Sequence, residues 1–190
     1  MSFLRFLQPD HEQAPPAAKA PGAKPEPETV RRITVKLTGL PPERAAFLAA
    51  FAYILTRVAV ADLDIDGAEA DEMARQVEAF GSVPDEEAGL IVGMAMHEAV
   101  SGAGTDDFYV TRRFLELSTR EQRVQLLHCL FAVAAPGQDM ISFEENKAIR
   151  EISDELGFTL PELNEVRRGY AERMAVVQMA RAAGEGEPVV

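Results

Sequence analysis

Residues 62–73 read DLDIDGAEADEM and carry Asp62, Asp64, Asp66, Glu69, Asp71 and Glu72. Alternating aspartates are hard oxygen donors at the spacing of a calcium loop. That template asks for donors at loop positions 1, 3 and 5, glycine at 6, an apolar residue at 8 and a bidentate glutamate at 12. Counted from Asp62, the residues Asp64, Asp66 and Gly67 meet the early demands, but position 8 is Glu69 and position 12 is Met73. Glu72 falls one residue early, and on a helix one residue turns a side chain by about 100°. A standard EF-hand is therefore not expected. Asp62 poses the remaining problem, because it falls at the C-terminal end of an apolar helix, where the macrodipole disfavours an anion. A bound cation would remove that penalty; a solvated turn is the alternative. Oxygen donors favour Ca²⁺ or Mg²⁺, with Mn²⁺ behind them, over zinc or copper.

Other chemistries find little support. No glycine-rich loop follows a strand, no Ser/His/Asp or Cys/His nucleophile arrangement is apparent, and no HExxH occurs. His97 and His128 sit in apolar helical contexts and read as packing residues. The one cysteine, Cys129, excludes an internal disulfide framework, and three histidines are too few for Cys/His metal sites. A reducing cytoplasm is the expected compartment. The 31 acidic and 19 basic residues leave a net charge of −12, which repels phosphate backbones and argues against nucleic acid as a partner.

The elements that must position the carboxylates are helical. Residues 1–29 are expected to be a disordered N-terminal segment and linker: 8–29 hold six prolines and cannot bury enough surface to offset their ordering entropy. Phe3, Leu4, Phe6 and Leu7 form a short apolar stretch, read as a frayed end or as a peripheral membrane or partner contact at residues 1–8. VRRITVKLTG at 30–39 alternates Ile33, Val35 and Leu37 with polar residues, so a short strand or an extended arm packed on the helices is expected.

Everything past Pro41 reads as helix. The first begins at Pro42 and runs to about Ala61; only the twelve residues from Ala45 to Thr56 separate its arginines, against the roughly 20 apolar residues needed to span a bilayer. The second follows Asp66, with Glu69 in the capping-box position, and stops at Gly81. The third starts at Pro84 and Asp85 and ends near Gly102. A fourth is capped by Thr105, and a fifth by Ser118 with Glu121. The sixth follows Ser142, with Glu145 three residues on, and ends at Gly157. The seventh, capped by Thr159 and Glu162, runs to about residue 183, and 184–190 form a flexible tail. The expected architecture is all-α, a seven-helix bundle over 30–183.

The chain also repeats itself. Glu69 precedes Gly81 by the same interval as Glu145 precedes Gly157, with Ile65 matching Ile141 and Asp66 matching Ser142. Two three-helix units bridged by the fourth helix would follow, and a pseudo-twofold packing would bring their acidic turns together.

VAVADLDIDGAEADEMARQVEAFG, FLELSTREQRVQLLHCLFAVA and ISFEENKAIREISDELGFTLPEL together resemble the TerB-like family, named for tellurite resistance, over about residues 45–170. In that family a helix ends in Ala-Asp-Gly, a glutamate lies seven residues after the aspartate, and the pattern is given twice. The resemblance implies an all-helical fold with acidic residues of both repeats around a divalent cation. Asp62 then matches the family aspartate and Glu69 its glutamate, with Leu63 where glycine is usual. Glu145 matches the second glutamate; AAPGQDMIS departs from Ala-Asp-Gly and leaves Asp139 as the nearby aspartate. The candidate metal ligands are Asp62, Asp64, Glu69, Asp139 and Glu145. Glu69 and Glu145 are equally well explained as capping-box residues. The expected function is a non-catalytic cation-binding module for interaction or sensing with an unidentified protein partner, in stress of the tellurite type. A metal-free interaction scaffold and a carboxylate metal hydrolase are the alternatives.

Overall fold

A computed structural model describes residues 3–7, 28–59, 67–101, 107–134 and 140–179, except for the side chains at 28–30, 59, 67–69 and 98–101. They hold α1 (Glu28–Thr38), α2 (Pro42–Ala59), α3 (Gly67–Gly81), α4 (Asp85–Ser101), α5 (Asp107–Leu117), α6 (Arg120–Ala134), α7 (Phe143–Glu155) and α8 (Leu160–Arg168), with a further helical stretch at 175–179. The seven expected beyond Pro41 are α2 to α8, and the architecture is all-α.

The hub is α2. Every residue from Ala45 to Thr56 is buried, as expected of a helix that is apolar all round. It touches α1, α4, α5, α6 and α7. Phe47 stacks on Phe114 of α5 at 5.2 Å, and Phe51 meets the edge of the same ring at 6.0 Å. Around this hub the two expected units interlock. Besides the contact between α2 and α6, α3 touches α6 while α7 touches α2, the crossed pairing that a pseudo-twofold exchange of α2–α4 with α6–α8 produces. α5 lies between them, against both α2 and α7.

Four expectations need correction. The segment read as a strand or extended arm is α1. Its apolar residues serve helical spacing: Ile33 and Leu37, four apart, are buried on one face, while Val35 is 65% exposed. With no partner strand to satisfy its backbone, helix is the remaining solution. Phe3–Leu7 is not frayed; it forms a 3-10 turn that buries Phe3, Phe6 and Leu7, so those side chains are turned into the domain rather than toward a membrane.

The cap of α6 lies one residue later than read: the Thr119 N–H donates to Gln122 Oε1 at 2.9 Å and the Gln122 N–H to Thr119 Oγ1 at 3.2 Å. Ser118 instead donates back to the Phe114 carbonyl at 2.6 Å. Both Ser-x-x-Glu and Thr-x-x-Gln fit the motif, and the sequence alone does not rank them. The final helix breaks at Gly169. A 3-10 turn at Ala171–Arg173 is followed by an extended Met174 that forms a parallel bridge with Ile141, and helix resumes over 175–179. Both bridge residues are buried, and their backbone bonds (Ile141 N–H to Arg173, Ala175 N–H to Ile141) tie this strand-like link to the entry of α7.

The caps of the second unit follow expectation. The Ser142 N–H donates to Glu145 Oε2 at 2.8 Å and the Glu145 N–H to Ser142 Oγ at 3.1 Å. On α8 the Thr159 N–H and hydroxyl both donate to Glu162 Oε2 at 2.7 Å. α7 closes on Gly157 at φ +75, with the Phe158 N–H bonded to the Ser153 carbonyl and the Gly157 N–H to that of Asp154.

Candidate functional site

Of the five candidate ligands, Asp62, Asp64 and Asp139 lie outside the described residues. Glu69 is in the first turn of α3, but its side chain also lies outside them. Glu145 is described. It sits half-buried in the first turn of α7, with Oε2 held by the Ser142 amide in the capping box and Oε1 without a partner among the described residues. Cap and ligand are therefore compatible roles for this residue: one oxygen completes the helix end and the other remains available to a hard cation. No group of three or more His, Cys, Asp or Glu side chains among the described residues could hold a metal.

The helix that leads into the acidic turn ends in a built polar cluster that sequence reasoning missed. Arg57, in the last turn of α2, reaches Glu155 of α7 in a bidentate pair, Nη1 to Oε2 at 2.6 Å and Nη2 to Oε1 at 2.8 Å. Its Nε lies 3.3 Å from Asp107 Oδ2, and the Tyr53 hydroxyl donates to Oδ1 of the same carboxylate at 2.9 Å. Thr111 accepts from Arg57 Nη1 at 3.1 Å. Its single hydroxyl proton has two acceptors in reach, the Glu155 carboxylate at 2.8 Å and the Asp107 carbonyl at 2.9 Å. A planar guanidinium with five donors suits this fork, and a lysine would not.

Burial alone lowers the Arg57 pKa, but the Glu155 hydrogen bond and charge, and then Asp107, outweigh it and raise it. The Arg57 hydrogen bond, opposed by burial and helped by Thr111, holds the Glu155 carboxyl below the usual range. The cluster joins α2, α5 and α7, and so both repeats, five residues before Asp62. Its only sequence signal was a lone cation in an otherwise apolar helical turn.

His97 and His128 pack against aromatic rings, as expected of packed residues. Phe3 meets the edge of His97 at 5.5 Å, and Phe80 stacks on His128 at 6.0 Å. Burial lowers the His128 pKa, away from the charged form. Cys129 is fully buried and desolvation pushes its thiol up to about 12, so it is not a thiolate ligand or nucleophile at neutral pH. It lies beside Gly81, where an added Cβ would sit 3.5 Å from Sγ and 3.4 Å from Phe51. The surface depression on α5 lined by Tyr109, Arg112, Arg113 and Glu116 offers no acid or base in waiting, since Arg113 pairs with Glu116 at 2.9 Å. No helix among the described residues is long and apolar enough to cross a membrane.

A family model described as tellurite resistance protein TerB matches residues 47–168, well over half of the chain, from the second turn of α2 to the end of α8. No curated protein and no solved structure gives a match.

Proposed function

We propose a function from the premise that this chain belongs to the TerB family: it is a non-catalytic helical module that binds a divalent cation through its acidic inter-helix turns and serves interaction or sensing, in stress of the tellurite type. Ca²⁺ or Mg²⁺ suits carboxylate oxygens of this kind better than Mn²⁺, and the cytoplasm is the compartment. The residues that would hold the ion are Asp62 and Asp64 between α2 and α3 with Glu69 in the first turn of α3, and Asp139 between α6 and α7 with Glu145 in the first turn of α7. Asp62 follows the end of α2 by three residues in the sequence, and a bound ion would offset the penalty an anion meets near a helix C-terminal end. The observation that supports this reading is Glu145, whose cap uses one oxygen while the other has no partner among the described residues.

The test separates cap from ligand. Gln at the third position of a helix can still accept from the Ser142 amide, so Glu145→Gln keeps the box and removes the charge. A ligand bound only by the folded state raises the melting temperature, by the equivalent of about 2.7 kcal/mol at a concentration 100 times Kd. We expect millimolar Ca²⁺ or Mg²⁺ to raise the melting temperature of the parent chain. The rise should shrink in Glu145→Gln and in Asp62→Asn, with metal-free stability little changed. No rise in the parent, or equal rises in all three proteins, refutes it.

A metal-free interaction scaffold is the second reading. It is favoured by the large apolar side chains of Met140, Phe143, Val176 and Met179, all between 44 and 61% exposed on the segments joined at the Ile141–Met174 bridge. Turnover that disappears on chelation and in Glu145→Gln would replace both with a hydrolase.

A further inference from the structure

Phe3–Leu7 reaches the domain from across twenty intervening residues and is held as a guest peptide is held. Its 3-10 turn is five residues long and packs against α2 and α5. Phe3 is 3% exposed, Phe6 6% and Leu7 fully buried, while Leu4 is partly buried against the same core. Polar contacts fix the register: the Tyr109 hydroxyl of α5 donates to the Leu7 carbonyl at 3.3 Å, and the Arg5 guanidinium donates to Thr34 Oγ1 of α1 at 3.3 Å while lying 5.0 Å over the Phe6 ring. Phe3 meets His97 of α4 edge-on. Four helices thus contribute to one slot that takes an apolar triad, Phe-x-x-Phe-Leu, with a cation over the second ring.

Burying three side chains is opposed by ordering five residues, and the two terms largely offset, so the seat is held by a small net free energy. Covalent connection makes the segment an intramolecular competitor for its own slot.

We propose that Phe3–Leu7 is a displaceable plug in a peptide-docking slot formed by α1, α2, α4 and α5. The slot's ligand in trans is a short segment of a partner protein with the same Phe-x-x-Phe-Leu spacing. This surface is separate from the acidic turns and does not depend on the cation reading. A partner segment must outcompete the tether, so the slot answers strong or multivalent ligands and ignores weak ones.

The test keeps the whole chain. A protease site is placed at residues 14–18, the chain is folded, and it is then cut. The released fragment is removed, a fluorescent peptide SFLRFLQ is held at trace concentration, and cut or uncut protein is raised to about 1 mM while anisotropy is followed. The expected result is saturable uptake at least about tenfold stronger after cutting, because the tether's effective concentration is gone. Unlabelled SFLRFLQ should compete, and the peptide carrying F6S should not. Retained helical circular dichroism shows that the slot survives the cut. No uptake by the cut, folded protein overturns the proposal, as does equal competition by the F6S peptide. Transfer of the cut segment to anionic phosphatidylglycerol vesicles, with no peptide uptake by the protein, overturns it in favour of a lipid surface. Uptake that appears only with dimerisation of the protein overturns it in favour of exchange between copies.

Discussion

Replacing Arg57 by methionine keeps most of the aliphatic stem and removes the guanidinium that ties α2 to α5 and α7. The substitution abolishes the bidentate pair with Glu155 at 2.6 and 2.8 Å and the ion pair with Asp107 at 3.3 Å. Removing one partner of a buried pair costs about 3–5 kcal/mol. Here that range is an upper bound. The Glu155 side chain is 28% exposed and that of Asp107 39%, against 12% for Arg57, so water reaches both stranded carboxylates. A loss of about 2–3 kcal/mol is expected. For a domain of this size each kcal/mol moves the melting temperature by about 2–4 °C, so Arg57→Met should melt roughly 4–12 °C lower.

The pair also leaves a signature in pH. Arg57 lowers the folded-state pKa of Glu155 below its unfolded value. The stability this contributes is present in full above the unfolded glutamate value of about 4.3, and it is lost as pH falls through the lower folded value. Arg57→Met should therefore show a shallower acid decline than the parent. Melts by circular dichroism at neutral pH and through the acid range check both expectations. A variant within about 1 °C of the parent at pH 7, or acid limbs that run parallel, refutes the account of this cluster.

Gly157→Ala forces an L side chain into the left-handed cap at φ +75 and should cost about 1–2 kcal/mol in urea unfolding, although nothing within 4 Å would clash with the new Cβ. Gly89→Ala, exposed inside α4 with open space around it, should stabilise by about 0.5–1 kcal/mol in the same assay. Glu145→Ala removes the box as well as the charge, so unlike Glu145→Gln it should lose about 1 kcal/mol of metal-free stability.

Much of this fold was legible because its signals are local. The uninterrupted apolar run of α2, the caps at Ser142 and Thr159, and the glycine that closes α7 each act within one or two helical turns. The misreadings came where two local rules compete or where the deciding partner is distant. Ile33 and Leu37 satisfy a strand's alternation and a helix's four-residue spacing equally, and only the missing partner strand separates them. Gly81 and Gly157 are equivalent by interval but not in conformation. In the first unit the left-handed residue is Ser82, at φ 48, while Gly81 packs beside Phe51 and Cys129 at distances an added Cβ would meet as ordinary contacts. The Arg57 cluster stayed hidden because its main partner lies 98 residues downstream, and pattern within a window carries no information about such a pair. The seat of Phe3–Leu7 was hidden for the same reason, since its contacts are made across the connector.

The thiol of Cys129 is a built-in clock for the motions of this domain. It is buried on α6, where Gly81 at the end of α3 packs beside it, so a bulky maleimide reaches it only when the packing around that contact opens. Its alkylation rate therefore counts opening events at the seam between the two repeats, without any engineered probe. A cation that bridges the two acidic turns would be read as a slower tick.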